Sequence, residues 1–317
     1  MFKSKPDAVV SNDRESWKSD CAASGAGLKY LIVHADDLGM AHSVNEATFA
    51  AFEQGAITSA SVMVPCAWFP EASEYARKHP EIDLGLHLTL TSEWKSYRWS
   101  SVAPTEMVRS LHDPDGYFWN SSTAVAKMGD PEEVELELSH QLMRAVRMGI
   151  QPSHIDSHMF SLLMKPSLFA AYVRLGRKHK IPFLSVRDSE TNLHASAILK
   201  ADDIVLNTLF LASPGTRPEN WKDAYAQQIR SLKPGLNQLT VHLGFPDSEL
   251  VAMTANRSDW DAAWRLRDFQ FVTSTYFKEL IEENEIHLTS WKDLGNSRVP
   301  LLRGGSFMPA PFRAHNP

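Results

Sequence analysis

Leu31-Ile32-Val33-His34-Ala35-Asp36-Asp37-Leu38-Gly39 passes from a β-branched apolar run into two adjacent carboxylates and a glycine. A buried strand that ends this way delivers acidic side chains to the rim of a sheet, where the chain turns. In parallel α/β folds that rim, at the strand C-termini, is where ligands bind. Successive strand residues face opposite sides, so Asp36 and Asp37 need not do the same work. Ser43 and Glu46, three residues apart, predict a capping box for the following helix, which leaves the aspartates available for chemistry.

Outward from this stretch, short β-rich runs alternate with longer helical ones. Candidate strands are 29–35, 57–65, 84–91, 153–158, 183–187, 204–209, 239–245 and 287–291, with candidate helices near 44–54, 70–79, 131–149, 166–180, 218–232 and 262–284. The helix over 131–149 is the clearest: Asp130-Pro131 supplies a cap and a first-turn proline, and Val134, Leu138, Leu142 and Ala145 recur on one face. Alternation of this kind argues for an α/β fold with a parallel sheet, and eight candidate strands favour an irregular (β/α) barrel over a doubly wound sheet. The main interruption, 92–130, is rich in aromatic residues, and a long loop after a strand is a place to expect function. Residues 1–27 read as a flexible arm, 28–300 as a single domain and 301–317 as a tail.

The 317 residues carry 32 Lys+Arg against 38 Asp+Glu, a mildly acidic balance that offers no basic surface for nucleic acid. The two cysteines, Cys21 and Cys66, have no metal-type spacing, so a cysteine zinc site and a disulfide scaffold are both excluded as expectations. No apolar run reaches the roughly 18 residues of a membrane span, and residues 1–27 lack a signal-type apolar segment. A cytoplasmic protein is expected.

Further strands end on histidine or carry it near the end. His87 lies in Gly85-Leu86-His87-Leu88-Thr89, and His242 in Val241-His242-Leu243-Gly244. In His154-Ile155-Asp156-Ser157-His158 three ligand-type side chains sit at i, i+2 and i+4, which share one face of a strand. A carboxylate with two imidazoles makes a three-ligand site for a divalent metal and leaves positions open for water and substrate. A second carboxylate beside it can accept a proton from water, and a separate histidine can protonate a leaving group. His154 and Asp156 are suited to fixing the tautomer and orientation of a ligand ring.

Taken together, His34-Ala35-Asp36-Asp37-Leu38-Gly39, Gly85-Leu86-His87-Leu88-Thr89, His154-Ile155-Asp156-Ser157-His158, His242-Leu243-Gly244-Phe245 and Ser290-Trp291-Lys292-Asp293-Leu294 resemble the motifs of the YdjC-like carbohydrate deacetylases, which include chitooligosaccharide deacetylase. The resemblance spans roughly residues 28–295. It implies a barrel of the polysaccharide/chitooligosaccharide deacetylase type, a divalent metal ion (Mg2+ or Zn2+) and hydrolysis of the acetamido group of a small carbohydrate. By position it implies Asp37, His87 and His158 as metal ligands, Asp36 as the general base and His242 as the acid for the leaving amine. Tyr97 and Trp99 in the aromatic loop, and Arg187 at a strand end, are the candidate substrate contacts.

Departures from the pattern are visible. Met159, Phe160 and Ser161 stand where the family commonly has more histidines, Leu243 where it often has proline, and His34 where an asparagine is common. An esterase or other amide hydrolase on the same site is the nearest competing function. A sugar-binding protein without turnover is the competitor from another class, and it would need neither base nor acid. A homodimer is the expected assembly, without a motif of its own.

Overall fold

The computed structural model of the chain describes residues 27–186 and 195–296. The expected arm and tail lie almost wholly outside these residues, and so does Arg187. Seven strands form one sheet: β1 (Lys29–Leu38), β2 (Ser59–Val62), β3 (Leu84–Leu88), β4 (Ile155–Ser157), β5 (Thr208–Phe210), β6 (Gly235–His242) and β7 (Ile286–Leu288). The order is β4-β3-β2-β1-β6-β5, with β7 paired to the start of β1, and every pairing is parallel.

The expected strand at 183–187 does not form a ladder. Single parallel bridges join Ile155 to Phe183 and Val186 to Leu206, so this segment links β4 towards β5 and curls the sheet into a barrel. Three backbone hydrogen bonds serve this seam: Ile155 to the Pro182 carbonyl, Leu184 to that of Ile155 and Leu206 to that of Ser185.

Alternation along β1 sorts its side chains. Leu31, Val33 and Ala35 enter the large core shared with the outer helices, whereas Ile32 joins Leu184, Leu206, Leu236, Trp291 and Leu294 in a smaller cluster on the concave side. This cluster plugs the floor of the barrel, and the helix Trp291–Asn296 supplies its base. Trp291 donates its indole N–H to Gln238 Oε1 at 2.9 Å and stacks on His154 with ring centroids 5.1 Å apart. Above the plug the concave face turns polar. Lys29↔Gly235 register carries through to Asp36↔His242, and β3 aligns His87 with Asp156.

Several local expectations need correction. The capping box is not formed: the helix His42–Glu53 starts behind Ala41 with no side-chain cap, and Ser43 Oγ is buried without a partner. Asn45 does the anchoring instead, its Oδ1 accepting the Gly39 N–H at 2.7 Å. The long helix expected over 262–284 is two helices, Ala262–Val272 and Thr275–Glu283, because Ser274 caps the second by accepting the Phe277 N–H. Loop 92–130 is largely packed structure, with Trp94, Trp99 and Phe118 buried. It is pinned by Glu137, which accepts the N–H groups of Val102 and Ala103. No helix among the described residues is long and apolar enough to cross a membrane.

Gly85 is required by a close approach. A Cβ there would lie 2.3 Å from His154 Cε1, so the imidazole rests on bare backbone. Gly85→Ala is expected to displace His154 from its stack on Trp291 and cost about 1–3 kcal/mol, the usual range for overpacking a core. Equilibrium unfolding in denaturant checks this, and an unchanged midpoint would contradict the packing described.

Candidate active site

The two adjacent aspartates reach the same pocket because the strand breaks its own alternation. Asp37 has φ 68°, and the β1–β2 register shifts between Ala35 and Leu38. This left-handed residue, which aspartate tolerates better than most, rotates the second carboxylate onto the concave side with the first. A second bend follows His158, where Met159 and Phe160 both adopt positive φ. Thr91 and Ser122 hold Met159 by its Sδ and carbonyl. Strained backbone of this kind collects at functional sites.

Three buried donor atoms then converge. Asp37 Oδ1 lies 3.4 Å from His87 Nε2 and 3.3 Å from His158 Nδ1, and the two ring nitrogens are 3.2 Å apart. Asp37 Oδ1 has no hydrogen-bond partner although it is fully buried. A cation with ligand bonds of about 2.1 Å separates neighbouring ligand atoms by roughly 3.0–3.4 Å, so this triangle fits a divalent ion. Two other groups of three also have the composition to hold a metal, His34 with His154 and Asp156, and Asp36 with His87 and Asp156.

Each member of the first triangle is held by a partner. His87 donates from Nδ1 to Asp156 Oδ1 at 2.7 Å, which presents its Nε2 to the centre. His158 Nε2 faces Glu93 Oε2 at 3.1 Å, which leaves Nδ1 pointing inward. Asp37 Oδ2 accepts from Arg265 Nη2 at 2.7 Å. Burial alone would raise the Asp37 carboxyl, but the Arg265 charge and the two imidazoles hold it well below its ordinary value. Burial likewise opposes charge on His87, yet Asp156 and Asp36 lift it well above the usual imidazole range. His158 behaves similarly, raised to about 9 by Glu93 and Asp37 against its burial. The pocket is built to favour positive charge at the triangle.

Asp36 and His242 flank this centre. Asp36 Oδ2 lies 3.8 Å from His87 Nε2 and 3.9 Å from His242 Nε2. Burial pushes His242 down to about 4, so its ring rests neutral. Its backbone N–H donates to Asp268 Oδ2, whose other oxygen accepts from Trp221 and Tyr225. Its ring packs edge-on against Trp260 with centroids 6.2 Å apart.

Of the residues singled out in the sequence, the structure brings together Asp36, Asp37, His87, Asp156, His158 and His242. His154 sits one layer deeper, its Nε2 3.8 Å from Asp156 Oδ2. Trp99 is only 5% exposed, with its indole N–H donated to the Thr91 carbonyl and its ring tilted 6.2 Å from His158. Tyr97 packs on Trp99 and donates its hydroxyl to the Met40 carbonyl. Arg265, Glu93 and Asp268 were not anticipated. The helix Ala262–Val272 buries both Arg265 and Asp268, and buried charges require partners, but nothing in the sequence marks that face.

A family model described as YdjC-like protein matches residues 30–283. The chain is 30% identical over 272 residues to a carbohydrate deacetylase of Thermus thermophilus, covering 84% of this chain and 94% of the relative. A carbohydrate deacetylase of Enterococcus faecalis is 30% identical over 270 residues, covering 84% and 98%. The solved structure of an Enterococcus faecalis V583 protein superposes with a TM-score of 0.71 at 29% identity, covering 84% of this chain and 99% of that one.

Removing Arg265 strands the Asp37 charge inside the protein. Arg265→Met is expected to destabilise the metal-free chain by about 3–5 kcal/mol, the range for breaking one side of a buried ion pair. Chemical denaturation gives the value, and a loss below about 1 kcal/mol would mean that Asp37 is balanced by other groups.

Proposed function

Because this chain belongs to the YdjC-like family, we propose that it is a metal-dependent hydrolase that removes the acetyl group from an N-acetylated sugar. The observation that carries this reading is the buried Asp37–His87–His158 triangle with a second carboxylate, Asp36, and a neutral imidazole, His242, beside it. Asp37, His87 and His158 would hold the ion. When bound, a divalent cation such as Mg2+ or Zn2+ acidifies water and polarises an acyl oxygen. Two imidazoles favour zinc by ligand type, whereas magnesium usually prefers oxygen.

The remaining chemistry belongs to side chains. Asp36, with Oδ2 on the open side, takes the proton of the attacking water. The amine leaving group departs only as it gains a proton, and His242 supplies it. A ring that rests neutral must first be loaded. Asp36, 3.9 Å away, is the nearest carboxylate to hand the proton across during turnover. Asp156, Glu93 and Arg265 keep the three donors oriented. The buried face of Trp99 backs His158, and we assign Arg187 a contact with a substrate hydroxyl or anionic group. The catalytic unit is residues 28–300.

The direct test is release of acetate and free amine from a panel of N-acetylated mono- and disaccharides, before and after removal of metal by chelator. Absence of amine across the panel, or release that persists in metal-free protein, would overturn the reading. Asp36→Asn should retain metal and lose about 10²–10⁴-fold in kcat, the range for a general base. Metal analysis showing equal loss of metal in Asp36→Asn and Asp37→Asn would reverse the split between the two. His242→Ala should damage sugar-amide hydrolysis far more than hydrolysis of an activated aryl acetate, because a phenolate leaves unaided. Equal losses in a folded variant would remove His242 from the acid role.

A further inference from the structure

We infer that His34 is a positioning residue which, with a proton on both ring nitrogens, locks the carboxylates of Asp36 and Asp156 in place beneath the donor triangle. The inference deepens the function proposed above and rests on it, since it takes Asp36 as the base and Asp156 as the group that orients His87. His34 is wholly buried on the concave face of β1, two residues before Asp36.

The protonation follows from counting donors. His34 Nε2 lies 3.0 Å from Ser61 Oγ, 3.1 Å from Asp36 Oδ1 and 3.0 Å from Asp156 Oδ2. A bare Nε2 taking the Ser61 hydrogen would turn its lone pair on two ionised carboxylates, which only accept, so Nε2 carries the hydrogen and Ser61 Oγ accepts alongside them. His34 Nδ1 lies 2.9 Å from Ser59 Oγ, and that hydroxyl directs its single hydrogen to Asp83 Oδ1 at 3.1 Å. Ser59 can therefore only accept from the ring, and Nδ1 carries a hydrogen as well. The groups facing the ring from the packed strands agree with a cation. They are Asp36 on β1, Asp156 on β4 with the edge of His154 just before it, and Ser61 and Ser59 on β2, with Asp83 behind Ser59. Burial opposes the charge, but the hydrogen bonds from Asp156 and Asp36 outweigh it and lift the ring to about 9.

The arrangement divides each carboxylate into a fixed oxygen and a working one. Asp156 gives Oδ2 to His34 and Oδ1 to His87 Nδ1, which sets the His87 ring. Asp36 gives Oδ1 to His34, and its Oδ2 is left facing His87 and His242. One imidazolium thus aims the base and the ligand ring together, and offsets two negative charges that would otherwise repel. A carboxamide at this position is shorter and uncharged, with both its hydrogens on one nitrogen, so it leaves the two carboxylates without a counter-charge.

The decisive measurement is 15N NMR of histidine-labelled, metal-free protein at pH 7.5, with the His34 signals assigned by their loss in His34→Asn. Protons on both nitrogens of His34 are expected, and a ring with one bare nitrogen would overturn the inference. This readout needs no turnover, so it stands or falls separately from the proposed deacetylation. In the metal-loaded enzyme, His34→Asn should lower kcat per folded molecule about 10–100-fold, the usual effect of losing a partner that orients a metal ligand, with KM little changed and a lower melting temperature, since two buried carboxylates lose their counter-charge. A kcat equal to wild type, or a fall explained wholly by lost folded protein, would also overturn it.

Discussion

A carboxylate only 2% exposed must find positive charge within the protein, and Asp37 finds it in three directions. Arg265 reaches it from the helix Ala262–Val272, while His87 and His158 approach from the ends of β3 and β4. Desolvating an ion costs several kcal/mol, so none of these groups is tolerable in the barrel without the others. The same demand propagates outward. His87 leans on Asp156, His158 on Glu93, and Asp156 in turn on His34. The concave face is a charge-balanced column, and its polar layer rests on the apolar plug around Trp291.

Parallel register is what converts sequence spacing into this column. Side chains two apart on one strand share a face, and register sets which strand residues stand side by side. His34 stands beside Ser59, His87 beside Asp156 and Asp36 beside His242. These contacts were within reach of the sequence because each polar residue sits in a short apolar run with a period of two. Asp37 escapes that logic. Only the left-handed turn at φ 68° brings it to the same side as Asp36.

The parts that were not legible share a cause. Arg265 acts 228 residues from Asp37, from a helix whose sequence shows no face that marks it as the partner of a strand-end carboxylate. Glu93 sits in a loop with no regular period. The Ser43–Glu46 pair satisfied a capping rule, yet Asn45 anchors the turn by bonding to Gly39, a competition decided by tertiary geometry. The aromatic content of the loop at 92–130 made it a place to expect substrate contacts, but Trp94, Trp99 and Phe118 are buried, with Trp99 against Tyr97 and His158 and Phe118 against His112. Composition marks where aromatic area is concentrated and leaves open which side of it faces water.

The seam at Phe183–Val186 gives the barrel an uneven stiffness. Eight residue pairs tie β1 to β6, whereas single bridges tie this segment to each neighbour. Like a hoop with one thin stave, the ring concentrates any radial breathing at that joint. The charged column is mounted chiefly on β1, β2, β3 and β6, and it meets the compliant arc at β4, which carries Asp156. A pocket whose chemistry depends on tenths of an ångström can therefore coexist with a wall that yields.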